Sequence, residues 1–281
     1  MILSTRQQFV DCLSMNEDSQ YIGTYKHLTL NSVFQPIFDT TNTIIGVEAL
    51  VRIHDLLAGP IRPDQFFHNE DINFDDKISV ERLSRVIHIR NFARSQYRHL
   101  KLFLNVLPSA GEYLALGNID ASLLAQRLKA LNLDNSQLVM EIVELNASNE
   151  ETLKTATRKL SASDFNIAVD DFGVNASNRQ RAERLKPDII KLDRSLLLAY
   201  MAGDQFRLMS GIKLAKILGS KVVVEGVETS QQLEAMRNLD IDLFQGYFLG
   251  VPEPLPAVYI DESNNLSSIG DPSIVYHQLY Q

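Results

Sequence analysis

The chain has 281 residues, of which 45% are hydrophobic and 22% charged, and its formal net charge is −8. These values are typical of a soluble globular protein and argue against a general nucleic-acid-binding surface, which is normally basic. They leave room for a phosphate-bearing ligand, because bound metal ions can supply positive charge locally.

The cellular setting is indicated by the cysteine content and by the start of the chain. Cys12 is the only cysteine, so an internal disulfide is impossible and a reducing compartment is expected. The first twenty residues lack the basic and then apolar pattern of a signal peptide, and no later apolar run approaches membrane-spanning length. We therefore expect a cytoplasmic protein without membrane insertion.

Short apolar runs rich in β-branched residues recur along the chain and predict eight strands. The strands are expected at about 32–39, 44–53, 101–107, 138–144, 166–172, 188–193, 221–227 and 243–248. Helical spacing predicts helices at about 76–98, 121–132, 149–163, 177–184, 204–218 and 229–239. Two helix starts have capping signals, namely Ser148 or Asn149 before two glutamates, and Thr229 before Gln232.

Eight strands that mostly alternate with helices predict an α/β fold with a parallel sheet, and eight strands favour closure into a (β/α)₈ barrel. The first two strands are joined only by residues 40–43, which is too short for a crossover helix. A hairpin suits this linker, so the first strand should run antiparallel to the second. We interpret residues 1–30 as a short lead-in of helical character, 31–256 as the barrel domain and 257–281 as a polar tail.

Polar residues collect toward the C-terminal ends of the predicted strands, although a strand buried on both faces should be apolar. In a (β/α)₈ barrel these ends meet at one face, where active sites form. A single strand-end carboxylate is most simply a solvated group or a helix cap, but seven of the eight strands share the feature. The residues are Glu48, Asn105, Glu141, Asp170, Asp171, Lys191, Asp193, Glu225 and Gln245.

The adjacent pair Asp170 and Asp171 is informative because neighbours within a strand face opposite ways. Both can serve one site only where the strand ends and the chain turns, and Gly173 permits such a turn. With Glu228 the group contains seven carboxylates, which would repel one another unless cations lay between them. Oxygen ligands without cysteine or histidine favour Mg²⁺ or Mn²⁺, and their number suffices for two ions. The residues alone therefore predict a metal-dependent phosphoester hydrolase, without specifying its substrate.

Short motifs occur in a fixed order between about residues 33 and 255. They are QPI at 35–37, GVEALVR at 46–52, FLNVL around Asn105, EIVE at 141–144, DDFG at 170–173, KLD at 191–193, EGVET at 225–229 and QGY at 245–247. This series resembles EAL domains, the bacterial cyclic di-GMP phosphodiesterases; a divalent-metal barrel enzyme related to enolases or aldolases is a more remote alternative. The resemblance implies a modified TIM barrel with an antiparallel first strand. It also implies cleavage of cyclic di-GMP to linear pGpG with two Mg²⁺ or Mn²⁺ ions.

The resemblance further implies roles for individual residues. Glu48, Asn105, Glu141 and Asp170 would hold one ion, and Asp170 with Asp171 would serve the second, with Asp193 and Glu228 close by. Glu225 matches the general base for the attacking water, and Lys191 would orient that water or offset developing charge. Gln35, Leu50 and Arg52 match ligand-contacting positions, Gln245 a polar support at the floor of the site, and Glu144 a support for the loop after the aspartate pair.

The loop after DDFG departs from the family pattern. Family members have a Thr-Gly-Tyr-Ser-Ser-like sequence there, whereas residues 174–178 read VNASN and only Ser177 keeps the pattern. In the family this region is associated with positioning the second metal and with dimer contacts, so a homodimer is implied.

Two functions stay open at this stage. One is an active phosphodiesterase built as a stand-alone EAL domain, favoured because every metal and base position has the family residue type. The other is a weak or inactive EAL protein that regulates by binding cyclic di-GMP or a protein partner. The basic residues Arg179, Arg181, Arg184 and Lys186 after the altered loop are most simply a solvated helix face, with a partner surface as the alternative.

Overall fold

The computed structural model describes residues 2–107, 122–143, 149–173 and 178–258. The strands within these ranges are β1 (Leu13–Met15), β2 (Tyr21–Tyr25), β3 (Leu28–Asp39), β4 (Ile44–Asp55), β5 (Gly59–Ile61), β6 (Lys101–Val106), β7 (Leu138–Ile142), β8 (Asn166–Phe172), β9 (Ile189–Leu192), β10 (Lys221–Val224) and β11 (Leu243–Phe244). The helices are α1 (Arg6–Asp11), α2 (Pro63–His68), α3 (Phe74–Ala93), α4 (Leu123–Ala130), α5 (Glu150–Ala162), α6 (Arg179–Leu185), α7 (Arg194–Met201), α8 (Phe206–Leu218) and α9 (Ser230–Arg237). Among the residues described, none of these helices combines the length and apolar character that crossing a membrane requires.

Eight of the strands close into a barrel. The order around it is β3, β11, β10, β9, β8, β7, β6 and β4, and the pairing of β3 with β4 completes the ring. β3 runs antiparallel to both of its barrel neighbours, and the other neighbouring barrel strands are parallel. The predicted modified TIM barrel with an antiparallel first strand is therefore confirmed.

Several predicted bounds differ from the structure. β10 and β11 end at Val224 and Phe244, earlier than their apolar patterns suggested, and Gly226 turns the chain after β10 with φ +68°. Helix α7 was not predicted because it begins directly after β9, with Asp193 as its N-cap and no loop to mark it. Both predicted helix caps are present, the first as Asn149 and the second as a capping box between Thr229 and Gln232.

Residues before β3 contribute more strand than the helical lead-in that we expected. Helix is limited to α1, and β1 and β2 extend the sheet beyond β3 while β5 extends it beyond β4. The side chain of Asn91 on α3 accepts from the backbone N–H of Tyr21 at 2.7 Å and donates to its carbonyl at 2.9 Å. These bonds hold α3 against β2, and α3 also packs against β3, β4 and β6.

The barrel interior has an apolar layer to which every barrel strand contributes one side chain. The layer consists of Ile37, Ile45, Phe103, Val139, Ala168, Ile189, Val223 and Leu243. Because alternate residues of a strand face the same side, the next inward position lies two residues further along. On six parallel strands that position, in or just beyond the strand, is polar: Asn105, Glu141, Asp170, Lys191, Glu225 and Gln245. The apolar core thus ends in a polar layer at the face where barrel active sites form.

Candidate active site

Lys191 lies at the centre of the polar layer and is 1% exposed. Its Nζ atom is 2.7 Å from Glu141 Oε1, 2.8 Å from Asp170 Oδ1, 2.9 Å from Glu225 Oε1 and 3.3 Å from Glu48 Oε2. Burial lowers the pKa of Lys191, but the carboxylates outweigh it and raise that pKa well above its usual range. A single ammonium group therefore holds four carboxylates together.

One cation does not balance this much negative charge. Burial, and then repulsion by Glu48, raises the pKa of Glu141 well above the usual value although Lys191 opposes the shift. Burial likewise raises the pKa of Glu225 well above its usual value, again against the attraction of Lys191. In the metal-free protein, burial and the neighbouring carboxylates therefore oppose ionisation of these two groups.

Glu48 is surrounded by N–H donors. Its Oε1 atom accepts from Asn105 Nδ2 at 3.1 Å, and its Oε2 atom accepts from Gln245 Nε2 at 2.7 Å and from Lys191 at 3.3 Å. Burial raises the pKa of Glu48, but Lys191 and these hydrogen bonds outweigh burial and lower the pKa below its usual value. Gln245 Nε2 also contacts Gln35 Oε1 at 3.3 Å, and Gln35 donates to the carbonyl of Gly250 at 3.0 Å. The charge of Lys191, together with these amides, therefore favours the ionised form of Glu48.

The two adjacent aspartates reach one site through a backbone irregularity. The pairing of β8 with β9 shifts register between Val169 and Phe172, so Asp170 and Asp171 form a bulge. Asp171 has a left-handed backbone with φ +47°, and Gly173 follows with φ +104°. The turn that we predicted at Gly173 thus begins two residues earlier, at Asp171, because aspartate tolerates the left-handed conformation.

The residues in this cluster fit a hard divalent cation. Asp170, Asp171 and Glu225 each offer a ligand oxygen, and these oxygens lie within 4.8 Å of one another. Glu141 Oε2 is buried and has no hydrogen-bond partner among the described residues, which is costly for a carboxylate oxygen unless a cation or proton satisfies it. An all-oxygen donor set of this kind favours Mg²⁺, Mn²⁺ or Ca²⁺.

Asp193 and Glu228 have other partners in the structure. Asp193 accepts from the backbone N–H of Ser195 at 2.9 Å and contacts its hydroxyl, as the N-cap of α7. Glu228 accepts from Arg194 Nη2 at 2.8 Å on the exposed surface. A direct metal role for these two residues stays a prediction, as does loop support by Glu144, which lies outside the described residues.

A cavity of about 340 Å³ opens beside the carboxylates, which is within the usual size range for ligand sites. Glu48, Asn105, Asp170, Asp171 and Glu225 line one part of it, and the predicted ligand contacts Leu50 and Arg52 line another. Arg52 is exposed and its Nη1 donates to the carbonyl of Val51 at 3.2 Å. The cavity therefore places an exposed guanidinium and a carboxylate cluster around the same space.

The cavity wall formed by α3 was missed in the sequence. Glu81, Ser84, Arg85 and His88 line it, and their i, i+3, i+4, i+7 spacing puts them on one helical face. Arg85 Nη2 donates to Glu81 Oε2 at 2.8 Å, whereas Glu81 Oε1, Ser84 Oγ and Arg85 Nη1 are buried without hydrogen-bond partners among the described residues. A polar stripe along the helix predicted at about 76–98 was the signal that could have identified this wall.

The buried imidazole of His88 is expected to make the stability of the protein sensitive to acid. Its Nδ1 atom is 2.8 Å from Ser32 Oγ, and burial lowers its pKa to about 3. An unfolded histidine has a pKa of about 6.5, so between these values the unfolded state binds more protons and stability falls as the pH is lowered. From this group we expect a loss of about 1 kcal/mol between pH 7 and pH 5.5.

Urea unfolding of the wild type and of His88→Gln at both pH values measures this contribution. The variant should lose less stability on acidification than the wild type, and the exposed control His99→Gln should behave as the wild type does. Equal pH dependence in the wild type and His88→Gln would contradict the assignment of a neutral buried imidazole.

Known proteins resemble this chain in both sequence and fold. A sequence profile for the EAL domain matches residues 24–252, which includes every barrel strand. The chain belongs to the EAL domain family. Among solved structures, Bacillus subtilis YkuI in complex with substrate c-di-GMP and calcium is 25% identical with a TM-score of 0.68, covering 80% of this chain and 56% of YkuI.

Other EAL structures support the fold. A standalone EAL protein of Vibrio cholerae in its c-di-GMP-bound form is 23% identical with a TM-score of 0.67, covering 80% of this chain and 92% of that chain. Klebsiella pneumoniae BlrP1 in a manganese and c-di-GMP complex is 23% identical with a TM-score of 0.68, covering 80% of this chain and 56% of BlrP1. The YkuI structure thus holds this nucleotide with calcium, and the BlrP1 structure holds it with manganese.

Curated relatives are longer than this chain. The bifunctional diguanylate cyclase/cyclic di-GMP phosphodiesterase MucR of Pseudomonas aeruginosa is 28% identical over 235 residues, which cover 79% of this chain and 33% of MucR. The oxygen sensor protein DosP of Escherichia coli is 31% identical over 233 residues, which cover 81% of this chain and 28% of DosP. The chain thus spans about a third or less of the length of these two relatives.

Proposed function

We propose that this EAL domain hydrolyses cyclic di-GMP to linear pGpG in a reaction that depends on Mg²⁺ or Mn²⁺, with two ions bound. The main support is the carboxylate cluster around Lys191, which borders a cavity of ligand size. Relatives named as cyclic di-GMP phosphodiesterases support the substrate. We also propose a cytoplasmic location, which cell fractionation tests.

The metal ligands of the proposed site are Glu48, Asn105, Glu141, Asp170 and Asp171, with Asp193 and Glu228 nearby. Two divalent ions held there would supply an activated water and charge stabilisation for an in-line displacement at phosphorus. Glu225 would accept the proton of the attacking water, and Lys191 would offset negative charge near Asp170, which it contacts at 2.8 Å. Arg52 at the cavity wall would bind a phosphate through its guanidinium.

The α3 wall offers complementary chemistry to a purine base. Glu81 provides an acceptor and Arg85 a donor, and each has a buried atom without a hydrogen-bond partner among the described residues. Guanine presents both donors and acceptors on its edges, so it can satisfy both groups at once. A base that lacked either the hydrogen-bond donors or the acceptors would leave a buried polar group of the wall unpaired, at a cost of about 1–3 kcal/mol.

Incubation of the purified protein with cyclic di-GMP and Mg²⁺ or Mn²⁺, against a chelator control, tests the proposal. We expect metal-dependent appearance of pGpG by liquid chromatography. Absence of product above the chelator control at saturating metal would contradict hydrolysis.

Self-association stays a prediction, which sedimentation of the same preparation at high micromolar concentration would test.

A second candidate function is regulation without catalysis, favoured by the altered sequence at 174–178. In that case the protein would bind cyclic di-GMP or a protein partner without cleaving the nucleotide. A titration with cyclic di-GMP in Ca²⁺ distinguishes the two candidates when combined with the cleavage assay. Tight binding without cleavage in Mn²⁺ would support a receptor, whereas binding with cleavage supports the phosphodiesterase.

A further inference from the structure

The regular pairing of β7 with β8 ends before the aspartate pair that supplies proposed metal ligands. The two strands are paired from Val139 with Asn166 to Ile142 with Val169. Glu141 lies within this paired segment, whereas Asp170 and Asp171 lie beyond it in the bulge. Backbone hydrogen bonding between β7 and β8 therefore does not by itself fix the aspartates relative to Glu141.

Arg181 crosses from one strand end to the other. It lies on α6, the helix that follows β8, and its side chain is only 3% exposed. Its Nη1 donates to the carbonyl of Val143, the residue directly after β7, at 3.2 Å. Its Nη2 lies 2.9 Å from Oε1 of Glu150, the first residue of α5. One guanidinium from the β8 side thus binds both the end of β7 and the helix that follows it.

The burial of Arg181 departs from the solvated basic face that the sequence suggested. Arg179, two residues earlier, fits that expectation because its side chain is 63% exposed and pairs with Glu183 on the same helix at 2.7 Å. Val143 lines the ligand cavity, and its N–H contacts the carbonyl of Val106 on β6 at 3.5 Å. Arg181 therefore holds a segment that belongs to the cavity wall.

We propose that Arg181 is a positioning residue for the metal site, which sets the distance between the Glu141 strand end and the Asp170–Asp171 bulge. The inference rests on the proposed metal-dependent function. Groups that orient metal ligands from outside commonly change metal affinity or activity by about 10–100-fold when they are replaced. Displacement of ligands by about 1 Å is sufficient for losses of that size.

The test compares Arg181→Met with the matched control Arg179→Met in the full chain. Mn²⁺ affinity is measured by calorimetry without nucleotide, and kcat and KM are measured with cyclic di-GMP. We expect Arg181→Met to weaken Mn²⁺ binding and to lower kcat by about tenfold or more, with a smaller change in KM. Arg179→Met should stay within about twofold of the wild type in every parameter.

Two further variants keep the test decisive if Arg181→Met does not fold. Arg181→Lys keeps the charge beside Glu150 but lacks the second N–H group that reaches Val143. Glu150→Gln removes the ion pair alone. Both variants should weaken Mn²⁺ binding by a smaller factor than Arg181→Met does. Wild-type Mn²⁺ affinity in Arg181→Met or in Arg181→Lys would overturn the inference. A wild type that binds no Mn²⁺ would instead contradict the proposed function itself.

Discussion

Replacing Glu48 with glutamine should lower the rate of cyclic di-GMP cleavage by about 10³-fold or more while the protein stays folded. A lost metal ligand removes several kcal/mol of transition-state stabilisation, and each 1.36 kcal/mol corresponds to about a tenfold change in rate. The contacts of Glu48 explain why even this small change is severe. Asn105, Gln245 and Lys191 all donate to its carboxylate, so a glutamine amide group would face a donor in either orientation.

Single-turnover cleavage and thermal unfolding measure the two parts of this prediction. Glu17→Gln is the matched control, because Glu17 is exposed in the turn between β1 and β2. This variant should leave the rate unchanged. Cleavage by Glu48→Gln within tenfold of the wild-type rate would contradict the role of Glu48 as a metal ligand.

Replacing Lys191 with methionine should destabilise the metal-free protein by about 3–5 kcal/mol. The ammonium group is the cation in contact with Glu48, Glu141, Asp170 and Glu225, and its loss leaves buried like charges without compensation. Methionine fills a similar volume, so the effect is mainly electrostatic and not a packing defect.

Divalent metal should restore part of this stability because cations replace the missing charge. Mn²⁺ at a hundredfold excess over its Kd stabilises a folded protein by about 2.7 kcal/mol. Urea unfolding of the wild type, Lys191→Met and the exposed control Lys213→Met, each with Mn²⁺ or with chelator, gives the comparison. Stability of chelated Lys191→Met within about 1 kcal/mol of the wild type would show that Lys191 does not compensate the cluster.

The barrel and most of its polar layer were predictable from the sequence because both follow from the period of two along a strand. A carboxylate or amide two residues after a buried apolar position, as at Asn105, Glu141 and Glu225, faces the same interior. The four-residue link after β3 likewise allows only a hairpin, which the backbone bond from Asp39 N–H to the carbonyl of Thr43 closes at 2.9 Å.

Features that depend on tertiary contacts were not predictable in this way. The burial of Arg181 depends on Val143 and Glu150, which lie more than thirty residues away in the sequence. The α3 wall becomes part of the cavity only when α3 packs against the barrel. The left-handed backbone of Asp171 is a local exception to β geometry that an Asp-Asp sequence does not specify.

Single-turnover cleavage with the protein in excess over cyclic di-GMP tests the central claim most directly, because it detects even weak catalysis. Occupancy is first confirmed by titration in Ca²⁺, and the bound nucleotide is then followed in Mn²⁺ and with chelator. We predict conversion of the bound cyclic di-GMP to pGpG in Mn²⁺ alone. Nucleotide that is fully bound in Mn²⁺ and yet stays intact would contradict the assignment of the carboxylate cluster as a hydrolytic site.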